Sequence, residues 1–176
     1  PITSYPNGIE VLTELVGTAE DIARFDLMLV LAHRGNTTID PLWEPEQPFD
    51  ESVYRNRVRW IWSRTEDQIV FAEGVEKYIV EQCNILNTTY DCHIKLFGTE
   101  AWKKISRLSI AIAGYLASTD ETYENIIVLR EHVDEAVKIY VQLYDNETFK
   151  FKQYVDAEAR YRKIDEDGIA ILQTMY

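Results

Sequence analysis

The residue types that do chemistry are sparse in this chain, and their spacing narrows what they can do. Its seven glycines stand at positions 8, 17, 35, 74, 98, 114 and 168. None belongs to a G-x-x-x-x-G-K-S/T loop and none to G-x-G-x-x-G, so the sequence offers no recognisable cradle for the phosphates of a nucleotide. The clustered soft ligands are Cys83, Cys92 and His93, without C-x-x-C or H-E-x-x-H around them, and they do not make a four-ligand zinc site. Cys83 reads as helix core, Cys92-His93 as loop, and His33 and His132 as isolated structural histidines. Asn36, Asn87 and Asn146 each open an N-x-S/T pattern, but no export signal gives those patterns meaning. No Ser/His/Asp or Cys/His set can be picked out from order alone. What remains is Arg24, inside Ile22-Ala-Arg-Phe-Asp-Leu-Met-Leu-Val-Leu31. An arginine directly ahead of a buried strand sits at a strand mouth, where ligand sites of open α/β sheets gather. A guanidinium there can reach a terminal phosphate and stabilise charge in phosphoryl transfer. The competing reading pairs Arg24 with Asp26 or Asp21 as a plain structural contact.

The elements that must position Arg24 follow from the pattern around it. Ile9, Leu12, Leu15 and Val16, three and four apart, predict a helix over 8–16, with Gly17 ending it and Thr18 capping a further short turn. Phe25 to Ala32 is an apolar run without polar alternation, which predicts a strand buried on both faces of a parallel sheet. Its strand partners are not evident elsewhere in the sequence. Residues 35–50, with Pro41, Pro45 and Pro48, read as a linker. Helices are then expected from Glu51 through Trp62, over 74–87, over 99–117 with Thr99 as N-cap, and over 130–144. Between the last two, Asn125 to Leu129 is a β-branched snippet. Four helices of this length close a small bundle, assigned to 51–144. The stretch 145–163 lacks a steady period and reads as a second linker, and 164–176 as the first helix of another module.

The composition sets limits on partners and place. Eighteen Lys and Arg against thirty Asp and Glu leave a net charge of −12 over 176 residues, which repels a phosphate backbone. The apolar share of 46% excludes a disordered tail. No apolar run approaches the roughly 20 residues that span a bilayer, and no export signal opens the chain, so the expectation is an acidic, soluble protein of the cytoplasm without a membrane partner. A start at Pro1 and an apolar pattern running to Tyr176 suggest part of a longer protein.

These residues together resemble one family. Tyr5-Pro-Asn-Gly-Ile-Glu followed by Asp21-Ile-Ala-Arg-Phe-Asp-Leu is similar to the end of the AAA+ core of minichromosome-maintenance (MCM) replicative helicases, where an S/A-R-F-D-L run carries an arginine finger. Trp62-Ser-Arg-Thr, Lys103-Lys-Ile-Ser-Arg-Leu-Ser-Ile-Ala and Asn125-Ile-Ile-Val-Leu-Arg-Glu-His-Val-Asp-Glu-Ala-Val137 follow the order of the family's lid helices. The likeness covers most of residues 1–144 and is closer to divergent prokaryotic and mobile-element MCM-like ATPases than to the eukaryotic set.

The resemblance implies a mainly α protein: residues 1–34 as the last helix and buried strand of an α/β AAA+ core, 51–144 as helical lid, and 164–176 as the start of a winged-helix tail. It implies that Arg24 is the finger, reaching ATP held by an adjacent subunit of a hexameric ring. The family's second arginine, sensor 2, would fall at Glu100, so Lys103, Lys104 or Arg107 would substitute for it. ATP and Mg²⁺ would be bound by parts of the parent outside this sequence, as would DNA, and the chain alone would not hydrolyse ATP. Two other readings stay open: a non-enzymatic helical interaction module using Trp60, Trp62, Tyr78, Trp102 and Tyr140, or the lid of another AAA+ branch such as a transcription activator or chelatase.

Overall fold

The computed structural model describes residues 5–31 and 50–174, with side chains through residue 164. Most of the 35–50 linker, His33, Asn36, residue 32 of the apolar run and the side chains of the expected tail module lie outside the described residues. What is described is mainly helical. It comprises α1 (Gly8–Val16), α2 (Ala19–Ala23), α3 (Glu51–Trp62), β1 (Ile69–Phe71), α4 (Val75–Thr89), α5 (Ala101–Tyr115), β2 (Ile126–Val128), α6 (Arg130–Tyr144) and α7 (Phe151–Thr174).

Helix α5 is the hub. It packs against α3, α4, α6 and β2, burying Ala101, Ile105, Ser109, Ala113 and Gly114 on its inward side. Gly114 lets α3 approach: a Cβ there would lie 2.9 Å from Ile61 Cγ1. Helix α4 contributes Val75, Ile79, Cys83 and Leu86, and α6 contributes Val133, Ala136, Tyr140 and Tyr144. These four helices form the bundle expected over 51–144. Strands β1 and β2 pair in parallel, Ile69 opposite Ile126 and Phe71 opposite Val128. Parallel strands need a crossover, and here α4 and α5 supply it.

Three expectations are corrected. Residues 25–31 are irregular, with a bend at Asp26, and join no β-ladder among the described residues. Met28 is buried, whereas Phe25, Leu27, Leu29 and Leu31 are 44–83% exposed, so the run alternates rather than burying both faces. A parallel strand is buried on both faces only inside a sheet whose two faces are covered by helices, and the two-stranded β1–β2 sheet does not include this run. Residues 145–163 are not a linker throughout, because α7 begins at Phe151. Its Phe151 and Val155 insert into the core, and Asn146 accepts the Thr148 and Phe149 backbone N–H groups to shape the preceding turn. Thr99 does not cap α5; a 3-10 turn over Gly98–Glu100 leads into it, with Glu100 at the cap position.

An aromatic cluster joins the first segment to the bundle. Tyr90, Phe97, Tyr140, Tyr144, Phe149 and Phe151 are all at most 4% exposed, and ring centroids of neighbours lie 5.1–5.7 Å apart for pairs such as Tyr144–Phe149 and Phe97–Tyr140. Helix α1 starts against this cluster: the Gly8 N–H donates to the Phe149 carbonyl at 2.8 Å. A Cβ on Gly8 would lie 2.0 Å from Phe149 Cδ2 and 3.0 Å from Phe149 Cα. Gly8→Ala should therefore cost about 3 kcal/mol, the upper part of the overpacking range, measured by denaturant unfolding. Gly17→Ala tests the contrast, since its site is open space and only its φ of 105° resists a side chain; it should cost about 1 kcal/mol.

Candidate functional site

Arg24 is held at the end of a short capped turn. The Thr18 side chain accepts the Asp21 N–H, which starts α2, and Arg24 closes it as C-cap with φ −76° and ψ −20°. The backbone on both sides is then fixed by side chains from the bundle. Lys104 Nζ donates to the Ala23 carbonyl at 2.7 Å and to the Leu96 carbonyl at 2.5 Å. Arg107 forks onto the Asp26 carboxylate at 2.9 and 2.7 Å. Tyr140 Oη donates to the Asp26 carbonyl at 2.9 Å, with the Lys104 carbonyl a second acceptor at 3.2 Å. Between these anchors the Arg24 side chain stays 80% exposed, and among the described residues its ion pair is with Asp21 at 3.5 Å. A pair of that kind contributes under about 1 kcal/mol, so the guanidinium is free to take another anion.

The groove beside Arg24 is mixed in charge. It has a volume of about 760 Å³, and its walls include Arg24, Thr88, Asp91, Lys95, Phe97 and Glu100. Hydrogen bonds from Lys95 and Lys103 hold the Asp91 and Glu100 carboxyls below their ordinary range. Lys95, the other cation of the groove wall, is thus matched to Asp91, as Arg24 is to Asp21.

The three other cations singled out in the sequence are placed differently from one another. Arg107 is tied to Asp26 and Lys103 to Glu100, both at the surface. Lys104 is the departure from expectation. It is 3% exposed, burial lowers its pKa against the opposing pull of Asp26 and Glu100, and its ammonium is committed to two backbone carbonyls. In this conformation it reaches no phosphate; it ties residue 23 to the bundle. Sequence reasoning missed this role and that of the Tyr140 hydroxyl. The signal was there for Lys104, which falls on the apolar stripe of Ala101, Ile105 and Leu108, where a lysine needs a buried acceptor.

The remaining polar groups of interest are structural. Burial raises both the Cys83 and Cys92 thiols to about 11, so neither is a thiolate nucleophile near neutrality. His132 is buried in α6, and its Nδ1 accepts the Leu129 N–H at 3.0 Å, matching its reading as a structural residue. Among the described residues no group of three or more His, Cys, Asp or Glu is placed to hold a metal ion. Nor is any described helix long and apolar enough to cross a membrane.

No family model matches the chain, and comparisons with curated proteins and with solved structures find no match either.

Proposed function

We propose that this chain is the finger-and-lid portion of an MCM-like AAA+ ATPase whose parent couples ATP hydrolysis to DNA unwinding in the cytoplasm. Arg24 is the finger, acting on ATP held by the next subunit of a homo-oligomeric, hexameric ring. The observation that carries this reading is the contrast at residues 23–26: backbone anchored on both sides by Lys104 and Tyr140, the Asp26 carboxylate held by Arg107, and the Arg24 side chain exposed to solvent. A guanidinium on a fixed base, aimed outward, is the arrangement an in-trans finger requires, because preorganisation at the developing charge is what accelerates phosphoryl transfer. The row Phe25, Leu27, Leu29 and Leu31 supports it as well. An exposed apolar run fits a strand that pairs only within an α/β core contributed by other residues of the parent.

The chain has no phosphate-binding loop. ATP and Mg²⁺ therefore belong to other residues, and this segment supplies charge stabilisation at the γ-phosphate. Lys103 takes the sensor 2 part by exchanging Glu100 for phosphate, since Arg107 is needed at Asp26. Residues 164–176 begin the tail module, of winged-helix type on this reading, while the start of α7 belongs to the bundle core. The acidic surface leaves DNA to other parts of the parent. In the whole protein, Arg24→Ala should cut ATP turnover by about 10³-fold with ATP binding retained, and wild-type turnover would overturn the assignment.

The reading as a protein-interaction module draws on one observation, the 83% exposure of Trp62. That surface is compatible with either function.

A further inference from the structure

Helix α3 buries no residue, and its outer face carries an organised stripe. Arg55, Val58, Arg59 and Trp62 follow the i, i+3, i+4, i+7 spacing by which a helix enters a groove. Val58 is 42% and Trp62 83% exposed. Arg55 is paired with Glu51, whereas Arg59 makes no ion pair among the described residues. An unpaired guanidinium flanked by exposed apolar side chains is uncommon on a surface of net charge −12.

The complement lies on the other side of the bundle wall. A groove of about 410 Å³ between β1, α4 and α5 is walled by Phe71, Ile79, Val80 and Trp102 and bordered by Glu66 and Glu76. Val80 is 53% and Trp102 50% exposed. Glu66 and Glu76 make no ion pair among the described residues. The cations in the same wall, Lys103 and Arg107, are neutralised by Glu100 and Asp26. The groove is thus apolar with an uncompensated negative border, and the stripe is apolar with an uncompensated positive charge.

We propose that the outer face of α3 docks into the β1–α4–α5 groove of a second copy of this chain, with Trp62 as the anchor and Arg59 against the Glu66–Glu76 border. The unpaired charges, opposite in sign and each flanked by exposed apolar side chains, select the partner: the same chain carries both halves. A nucleic acid is disfavoured because its phosphates would meet those carboxylates. The contact does not rest on the finger reading, and its readout is association rather than turnover.

The test uses the purified 176-residue chain in sedimentation equilibrium, from micromolar to near-millimolar concentration. Wild type should self-associate reversibly. Trp62→Ala and Val80→Glu should each weaken association about thirtyfold, the scale of losing an interfacial anchor. Both positions are exposed, so neither variant disturbs the core. An equimolar mixture of the two variants should associate more tightly than either alone, because one intact stripe and one intact groove then meet. Leu29→Lys, in the other exposed apolar row, should leave association unchanged. A wild-type monomer throughout the range overturns the proposal. So does association that survives Trp62→Ala and is abolished by Leu29→Lys, or a mixture no tighter than its components.

Discussion

Taken from pH 9 toward pH 11, the folded chain should lose most of its stability in one cooperative transition. The cause is a set of acids that ionise only with difficulty in the core. Burial raises the Cys83 and Cys92 thiols from 9.0 to about 11. It raises Tyr154 from 10.0 to about 12 and pushes Tyr90, Tyr140 and Tyr144 higher still, Tyr90 with added repulsion from the Asp145 carboxylate to which it is hydrogen-bonded. Above pH 9 the unfolded chain releases its thiol protons while the native chain keeps them, and above pH 10 the same holds for the phenols. The unfolded state then binds fewer protons than the native state, so stability falls as pH rises. The contribution of each thiol is fully present below pH 9 and gone by about pH 11. Two pKa units correspond to at most about 3 kcal/mol per thiol, and the tyrosines add to this beyond pH 10. Net stabilities of domains are only about 5–15 kcal/mol, so the sum is sufficient to unfold the protein.

Lys104 opposes the trend. Its lowered pKa means that the native state sheds a proton before the unfolded state does, which adds stability as pH rises toward 10.5. One such group is outnumbered by six acids. The measurement is urea unfolding followed by far-UV circular dichroism at a series of pH values, with tyrosinate absorbance recorded in parallel. Tyrosinate should appear together with the loss of helix. Tyrosinate forming well before helix is lost would show that the aromatic cluster is open to solvent.

The same cluster explains what could be read from the sequence and what could not. Helices α1 and α2 announce themselves because caps and spacing agree, Asn7 and Thr18 each accepting an N–H of the turn they open, whereas α4 and α6, with Gly74 and Leu129 at the cap, are legible through spacing alone. Residues 25–31 mislead because a continuous apolar run states only that burial is available, not that neighbouring strands exist to provide it. The aromatic positions of 145–155 have no steady period because Phe149 belongs to a turn and Phe151 to a helix, yet both point into one core. Strand β1 is three residues long, too short for an alternation to register, and is fixed by pairing with β2 more than fifty positions away. The candidate site divides the same way. Arg24 is visible through its local motif, whereas the contacts that anchor its neighbours Ala23 and Asp26 span 81 to 114 positions, and no local pattern encodes those contacts.

On the proposed finger reading, Arg24→Ala in the parent ATPase should lower kcat for ATP about 10³-fold, equivalent to about 4 kcal/mol of transition-state stabilisation, and should leave the melting temperature where it is. The two halves of this expectation come from the same geometry. The side chain is 80% exposed and its ion pair to Asp21 is a surface contact, so truncation removes nothing from the core. Any loss of turnover is then a loss of chemistry. Arg24→Lys should recover only part of the rate, because an ammonium keeps the charge but not the fork that spans two phosphate oxygens. KM should change little in either variant, since charge that develops in the transition state is absent from the ground state. The decisive arm is mixing. Arg24→Ala subunits combined in equal amounts with subunits disabled in their phosphate-binding loop should regain up to about a quarter of wild-type activity, because a site needs an intact loop from one subunit and an intact guanidinium from its neighbour. If the mixture stays as inactive as its parts while Arg24→Ala alone is impaired, the guanidinium acts within its own subunit. If Arg24→Ala turns over at the wild-type rate, its role ends at Asp21.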